Sequence, residues 1–402
     1  MSAYRLYLLI CGLGSAAGTT AFTLNLIYQA SIGLSPLQLV LVGTLMETVC
    51  FIAQVPTGVI ADLRSRRLSV LIGYLLMGAG LLVWGLIPSF AAILVANVIW
   101  SIGIVCVDGA EEAWAADEID PDRVTKAFVR GGQLSQAGSL IGIVAATGLA
   151  LFGLAVPIVV GGVLTLALGV LLVFFMKEDG WSPAETRGSW RSMGRQVAAG
   201  AGAVRRSMLL GGIVAGTLFA GMSSEGFDRL SQPFLLPFTS LPKTWVFGGL
   251  AMAAALGSIA LTGLIGQRLD TTHPRQIGEL MTVLQIVIAI GMIGFGLTGQ
   301  WWAAFGLYLV VRLLRGTASP IMTIWMVSAT GPGSRATVFS IQAQADALGQ
   351  IVGGPPAGVV GQRRSLGAGI SAAGFFLLPA AALFALAARR SPLSAEKEPV
   401  SL

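Results

Sequence analysis

Residues 91–106 read AAILVANVIWSIGIVC, without a single charged side chain, and residues 107–114 continue the run as VDGAEEAW. Since a helix needs about 20 predominantly apolar residues to cross a bilayer, the run predicts a transmembrane helix. Its end carries three carboxylates, Asp108, Glu111 and Glu112, which are three or four positions apart and hence on one side of a helix. An ionised group at the centre of a spanning helix costs on the order of 2.5–3.5 kcal/mol, so we expect the cluster to face a cavity or a partner.

The composition of the whole chain indicates a membrane protein. Of its 402 residues, 55% are hydrophobic and 11% are charged, whereas soluble domains carry roughly 25% charged residues. The three cysteines lie in apolar runs and the chain has one histidine, so neither a disulfide framework nor a metal site is expected. The net charge of +6 comes from bases scattered between apolar runs, so no nucleic-acid partner is expected either.

Twelve apolar segments are long enough to form spanning helices. They lie at roughly residues 5–30, 35–62, 68–87, 90–116, 124–152, 155–176, 207–236, 244–267, 275–297, 301–327, 336–361 and 366–388. The longest polar stretch divides them six and six. We therefore predict an N-terminal six-helix bundle at 1–176, a cytoplasmic linker at 177–206 and a C-terminal six-helix bundle with a short cytoplasmic tail at 207–402. Within the linker, residues 189–204 fit either an amphipathic surface helix or a plain flexible connection.

Basic residues are distributed unevenly over the loops. If the N-terminus is cytoplasmic, the inner loops and the tail hold Arg64, Arg66, Arg67, Arg123, Lys126, Lys177, Arg187, Arg191, Arg195, Arg205, Arg206, Arg268, Arg275, Arg335, Arg389 and Arg390. The outer loops then hold Lys243, Arg363 and Arg364. By the positive-inside rule, both termini are predicted to be cytoplasmic.

The two halves of the chain share short similarities. QLSQAGSLIG at 133–142 aligns with QADALGQIVG at 344–353, and TGVIAD at 57–62 aligns with TGLIGQ at 262–267. Both matches fall in corresponding spans of each half. Internal repeats are common in transporter folds, so the matches favour two duplicated six-helix bundles.

Further charged side chains interrupt the later spans. Span seven contains SSEGFDRL and span ten contains VRLLRG, while span eleven combines Asp346 with several glutamines. Counted within each half, Gly109 registers with Gly316, which places Asp108 opposite Arg315. Two interpretations stay open: structural ion pairs that lock the bundles, or carboxylates that carry protons because their proton affinity differs between two conformations.

The candidate residues fall into two groups by charge and position. The proton-coupling candidates are Asp108, Glu111, Glu112, Glu225, Asp228 and Asp346. The candidates for substrate binding or counter-charge are Asn25, Tyr28, Arg229, Arg312, Arg315 and Gln344.

The loop after span two reads PTGVIADLRSRRLSV, with the spacing G-x-x-x-D-x-x-x-R-R. This resembles the signature cytoplasmic motif of the major facilitator superfamily, and the twelve spans with a central linker are similar to that family over the whole chain. The resemblance implies two pseudo-symmetric six-helix bundles around a cleft lined by spans one, four, seven and ten. It also implies a charge latch that closes the inner side, at the gating residues Gly58, Asp62, Arg66, Arg67 and Asp117.

Within that superfamily, DGAEEAWAADEI, SSEGFDRL and QADALGQIVGGPPAG resemble the branch of tetracycline- or macrolide-efflux-like drug exporters. The resemblance implies proton-coupled efflux of small amphiphilic compounds by alternating access. We expect a monomer in the plasma (inner) membrane, with a small-molecule substrate, protons and lipid as partners, and the proton gradient in place of a cofactor.

Two other functions stay open at this stage. The arginines Arg312 and Arg315 suit a specific anionic metabolite, because a guanidinium pairs well with carboxylate or phosphate. A membrane sensor or scaffold without turnover is the alternative of another class. An enzyme is not expected, since no nucleophile and base occur at a recognisable spacing.

Overall fold

The computed structural model describes residues 1–180, 202, 204–205, 207–268, 273–330 and 335–391, except for the side chains of residues 55, 59, 60, 62, 63, 268 and 336. Most of the predicted linker, including the segment 189–204, lies outside these residues. Across the described ranges the regular secondary structure is helical, which confirms the all-α fold class.

Three of the twelve spans consist of two helices each, and the other nine are single helices over the described ranges. The bounds are Ala3–Phe22 and Asn25–Ser31 (span one), Pro36–Leu63 (two), Arg66–Leu86 (three), Phe90–Val107 and Ala110–Glu118 (four), Pro121–Leu149 (five), Val156–Phe175 (six), Met208–Leu235 (seven), Lys243–Arg268 (eight), Pro274–Leu297 (nine), Trp301–Ala329 (ten), Arg335–Arg363 (eleven), and Leu366–Phe375 and Leu377–Arg390 (twelve).

Among the described residues, eleven helices are long and apolar enough to cross a membrane. Span eleven is not among these eleven, although its 29 residues exceed the required length. It is less apolar because it carries Gln342, Gln344, Asp346 and Gln350. A long helix with this many polar groups is expected where a polar interior, rather than lipid, faces one side of it.

The helices divide into two compact units. The first unit is Met1–Met193 with Thr239–Met252, and the second unit is Gly194–Phe238 with Ala253–Leu402. Spans one to six lie in the first unit, spans seven and nine to twelve lie in the second, and span eight is divided between them. The bundle boundaries at 176 and 207 stay a prediction.

In the first unit, spans one and five touch backbone to backbone. A Cβ atom added at Gly142 would lie 2.6 Å from the carbonyl oxygen of Ala16, and one added at Gly138 would overlap the carbonyl group of Gly12. Glycine is therefore needed at both points, because any side chain would push the two helices apart.

The second unit repeats this crossing between spans seven and eleven. A Cβ atom at Gly349 would overlap the carbonyl oxygen of Leu218, and one at Gly353 would overlap that of Met222. Gly138 and Gly349 are 211 positions apart, as are Gly142 and Gly353, which is the offset at which residues 133–142 align with 344–353. Corresponding helices thus cross at corresponding glycines in each unit.

These crossings make a stability prediction. Gly353→Leu in the full chain should lower the free energy of unfolding by about 1–3 kcal/mol, the usual cost of overfilling a tight contact. Gly306→Leu is the matched control, because a Cβ atom at Gly306 in span ten meets nothing within 4 Å. Thermal unfolding of the purified proteins in detergent measures both. Equal melting temperatures for the two variants would contradict the role given to the crossing.

Candidate functional site

A break in span four separates the three carboxylates that the sequence places on one helix face. The first helix ends at Val107, and Gly109 has φ +75° before the second begins at Ala110. This backbone conformation favours glycine, since other residues rarely adopt it. The expectation that Asp108 shares a helix face with Glu111 and Glu112 is therefore wrong.

Asp108 is exposed at this break and is held by span two. The amide Nε2 of Gln54 donates a hydrogen bond to Asp108 Oδ2 at 3.2 Å. One turn further along span two, the Thr57 hydroxyl donates to the carbonyl oxygen of Val105 at 3.1 Å. Spans two and four are thus tied together by polar contacts just before the helix breaks.

Glu111 turns into the first unit instead. Glu111 is 9% exposed. The hydroxyl of Tyr74 in span three donates a hydrogen bond to Glu111 Oε2 at 2.9 Å. The neighbouring Glu112 is exposed. Tyr74 was not among the predicted residues, because a tyrosine within the apolar run of span three has no distinguishing local signal.

In the second unit, the buried acid of span seven has a partner on its own helix. Arg229 Nε donates to Glu225 Oε2 at 3.0 Å, and Glu225 is 2% exposed. The spacing of four residues allows the pair to form within one helix face. The negative charge of Glu225 is therefore compensated locally.

Asp228 is compensated by span ten. Arg315 donates from Nη1 to Asp228 Oδ1 at 3.0 Å and from Nη2 to Oδ2 at 2.7 Å, a bidentate pair. Arg312 Nη1 donates to the same Oδ1 at 3.4 Å. The Arg315 guanidinium also lies 5.3 Å from the centre of the Phe227 ring, in cation–π contact. The alignment of Gly109 with Gly316 places Arg315 opposite Asp108. In the structure, Arg315 instead binds Asp228, an acid of its own unit.

Span eleven contributes Asp346 to a cavity inside the second unit. The Gln350 amide donates to Asp346 Oδ2 at 2.9 Å. The cavity has a volume of about 300 Å³ and is lined by residues of spans seven, nine, ten, eleven and twelve, with Arg315 and Asp346 among them. Gln344 lies next to these residues in sequence but does not line the cavity.

The two candidates in span one differ in their contacts. The Tyr28 hydroxyl donates to the carbonyl oxygen of Trp84 at 3.2 Å, which ties spans one and three together. Asn25 is 3% exposed, and its Oδ1 has no hydrogen-bond partner among the described residues. The contacts of Tyr28 are thus structural, whereas Asn25 keeps an unused acceptor.

Two arginines at the start of span three bind the ends of spans four and six. Arg66 forms an ion pair with Asp117 and donates to the carbonyl oxygen of Ala113 at 3.0 Å. Arg67 donates from Nε to the carbonyl oxygen of Met176 at 2.5 Å and from Nη2 to that of Val173 at 2.9 Å. The two arginines therefore satisfy carbonyl groups at helix ends.

Glu178 completes this arrangement and was not expected from the sequence. Its carboxylate accepts hydrogen bonds from the Arg67 backbone amide at 3.0 Å and the Ser65 hydroxyl at 2.5 Å.

Gly58 is exposed, with open space where a Cβ atom would lie. The side chain of Asp62 lies outside the described residues. Among those described, no group of three His, Cys, Asp or Glu side chains could hold a metal ion.

Comparison with known families agrees with this architecture. The family model described as the Major Facilitator Superfamily matches residues 6–354. The chain belongs to the Major Facilitator Superfamily. As a member, it is a membrane transporter of the facilitator type. It is also similar to an uncharacterized MFS-type transporter of Bacillus subtilis (strain 168), YxaM, at 23% identity over 354 residues, which cover 85% of each chain.

Solved structures similar to this facilitator-type transporter share its fold at low sequence identity. A bacterial homologue of the human lysosomal transporter Spinster has a TM-score of 0.74 and 16% identity over 97% of each chain. The nucleoside transporter NupG has a TM-score of 0.77 and 13% identity over 96% of this chain and 99% of its own. A peptide transporter of the POT type, solved with sulfate, has a TM-score of 0.71 and 15% identity, over 98% of this chain and 96% of its own.

The bidentate pair makes a second stability prediction for this transporter. A double-mutant cycle with Asp228→Asn and Arg315→Gln should give a coupling free energy of about 0.5–3 kcal/mol, because each single change removes the bidentate contact between the two charges. The matched control is Arg275 with Glu279, a more exposed pair at 2.9 Å, whose coupling should be smaller. Unfolding in detergent measures all variants. A coupling no larger than that of the control pair would show that the Asp228 contact contributes little.

Proposed function

We propose that the protein is a proton-coupled exporter of small amphiphilic compounds, in which Glu111 carries the proton. The observation that supports this most is the environment of Glu111. It is a nearly buried carboxylate whose hydrogen bond comes from a neutral hydroxyl, that of Tyr74. Among the described side chains, the other acid that is less than 10% exposed is Glu225, and it has a guanidinium at 3.0 Å.

The energetics distinguish Glu111 from the paired acids. An ionised carboxylate without a cation costs several kcal/mol in an apolar interior, and binding a proton removes that cost. Tyr74 can serve both forms, because a phenolic hydroxyl donates to a carboxylate and accepts from a carboxylic acid. The pair therefore tolerates loading and unloading of a proton without losing its hydrogen bond.

The break at Gly109 supports the coupling. Because span four consists of two helices, the short helix Ala110–Glu118 can change its direction without the longer helix Phe90–Val107 doing so. A proton drives a transport cycle only if it binds the two conformations with different affinity. A change in direction of the short helix would alter the surroundings of Glu111 and so its proton affinity. Asp108 and Glu112 are exposed, so water stabilises their charged forms and neither is assigned the coupling role.

The amphiphilic substrate is favoured over an anionic metabolite by the contacts of span ten. Arg315 uses two of its donors on Asp228, and Arg312 points to the same carboxylate. Asp228 already offsets part of the positive charge of both arginines, so their attraction for a second anion is weakened. This argues that Arg312 and Arg315 are counter-charges of Asp228 rather than substrate ligands.

The proposal also includes the orientation of the protein, its membrane and its oligomeric state. The uneven distribution of bases supports both termini on the cytoplasmic side of the plasma (inner) membrane. The protein would act there as a monomer, with protons and the exported compound as its partners. Each of these properties rests on the sequence and the family resemblance.

The decisive experiment compares two adjacent glutamates in proteoliposomes. With ethidium as a fluorescent lipophilic cation, the unmodified chain and Glu112→Gln should show accumulation driven by an imposed pH gradient. Glu111→Gln should lose this accumulation while it retains counterflow, which needs substrate exchange but no proton.

Two results would contradict the proposal. Undiminished gradient-driven accumulation by Glu111→Gln would remove Glu111 as the proton carrier. Loss of counterflow together with gradient-driven transport in a monodisperse Glu111→Gln protein would show that the residue is needed for the cycle itself rather than for its coupling.

A further inference from the structure

The second unit contains a cavity that belongs to this unit alone. It is about 300 Å³ in volume and is lined by spans seven, nine, ten, eleven and twelve. It lies at the lower end of the range of small-molecule sites, about 300–1,000 Å³.

The cavity has two ends of different chemistry. Along span ten its lining runs from Arg315 to Met326, two positions that are eleven residues apart and hence separated by roughly 16 Å along the helix. On span eleven the lining runs from Phe339 to Asp346. Because spans ten and eleven follow each other in the chain, Met326 and Phe339 lie near the connecting loop, and Arg315 and Asp346 lie far from it.

Two amide side chains line the cavity without hydrogen-bond partners. Gln285 of span nine is 6% exposed, and Gln342 of span eleven is half-buried. Within the described ranges, neither side chain has a hydrogen bond. Their amide atoms are not among the buried polar atoms that lack a partner, so they face the space of the cavity. The two glutamines are thus available to a bound molecule.

The end near the loop is apolar and adaptable. Met281, Met322 and Met326 line it together with Phe339 and Phe384. Methionine side chains are flexible and polarizable, so they adjust to ligands of different shape. A small apolar group would fit against this wall.

The charges at the other end favour a cation. The Arg315 guanidinium is engaged by Asp228 through two hydrogen bonds. Asp346 accepts one hydrogen bond from the neutral amide of Gln350, which leaves other lone pairs of the carboxylate unused. A ligand ammonium group would donate hydrogen bonds to these lone pairs and carries the charge opposite to that of the carboxylate.

We propose that this cavity binds a small amphiphilic amine, with its ammonium group on Asp346, its polar atoms at Gln285 and Gln342, and its apolar part against the three methionines. That the bound amine is the exported compound rests on the proposed function; the binding itself does not. Recognition of substrate would then occur in the second unit, while the proton binds at Glu111 in the first.

Equilibrium binding of radiolabelled 2-phenylethylamine to the full chain in detergent tests the site. The unmodified chain should bind it saturably and should not bind 3-phenylpropanoate, an anion of similar size. Asp346→Asn should weaken amine binding by at least about tenfold, which is 1.4 kcal/mol. Met322→Trp, which fills the cavity, should abolish it. Met208→Trp is the matched control, because Met208 is 70% exposed and lies outside the lining.

Gln285→Leu serves as a second cavity variant in case Met322→Trp does not fold. It removes an amide from the lining and keeps a side chain of similar size. It should weaken binding while the protein stays monodisperse. Unchanged amine binding by Asp346→Asn and Gln285→Leu, or equal binding of the anion, would overturn the proposal. Amine binding that depends on Asp346 in a protein without gradient-driven transport would support this site and contradict the proposed function alone.

Discussion

An ionised side chain in apolar surroundings must find a partner, and this requirement arranges the polar residues of both units. Some acids are met by cations: Glu225 pairs with Arg229 on one helix, and Asp228 pairs with Arg315 across two. Others are met by neutral groups, since Glu111 accepts a hydrogen bond from the Tyr74 hydroxyl and Asp346 accepts one from the Gln350 amide. Only a cationic partner compensates the charge itself.

The glycine crossings explain how the polar groups reach their positions. Spans seven and eleven touch at Gly349 and Gly353, which brings the preceding turn of span eleven against span seven. There Asp346 Oδ1 would lie 3.0 Å from a Cβ atom on Gly221. Close backbone packing thus holds a carboxylate at the edge of the cavity, and the same residues provide packing and polarity.

Much of the fold was predictable because its signals are local. The thickness of a bilayer sets the length of a span, so hydropathy alone located span six, Val156–Phe175, to within a residue or two. The alignment of 133–142 with 344–353 indicated the repeat because the glycines that permit backbone contact are themselves part of the aligned residues. The ion pair of Glu225 and Arg229 also has a local signal, a spacing of four residues, although the pair was not predicted from the sequence.

The site was less predictable because its contacts join distant residues. Helical spacing failed at Gly109, where one residue with positive φ sends Asp108 and Glu111 to different neighbours. The partner of Glu111 is a tyrosine 37 residues away, and nothing in the local pattern distinguishes Tyr74 from an ordinary apolar-run residue. The cavity depends on how five spans pack, which no single stretch of sequence encodes.

The separation of Asp228 from Arg315 also matters before the protein is complete. The two residues are 87 positions apart, and at about 5–20 residues per second a ribosome needs roughly 4–17 s to add them. Span seven therefore emerges from the ribosome carrying an acid whose cation has not been synthesised, whereas Glu225 emerges with Arg229 four residues behind it. Until span ten is made, insertion of span seven therefore carries the cost of an unpaired carboxylate at Asp228 or of its protonation.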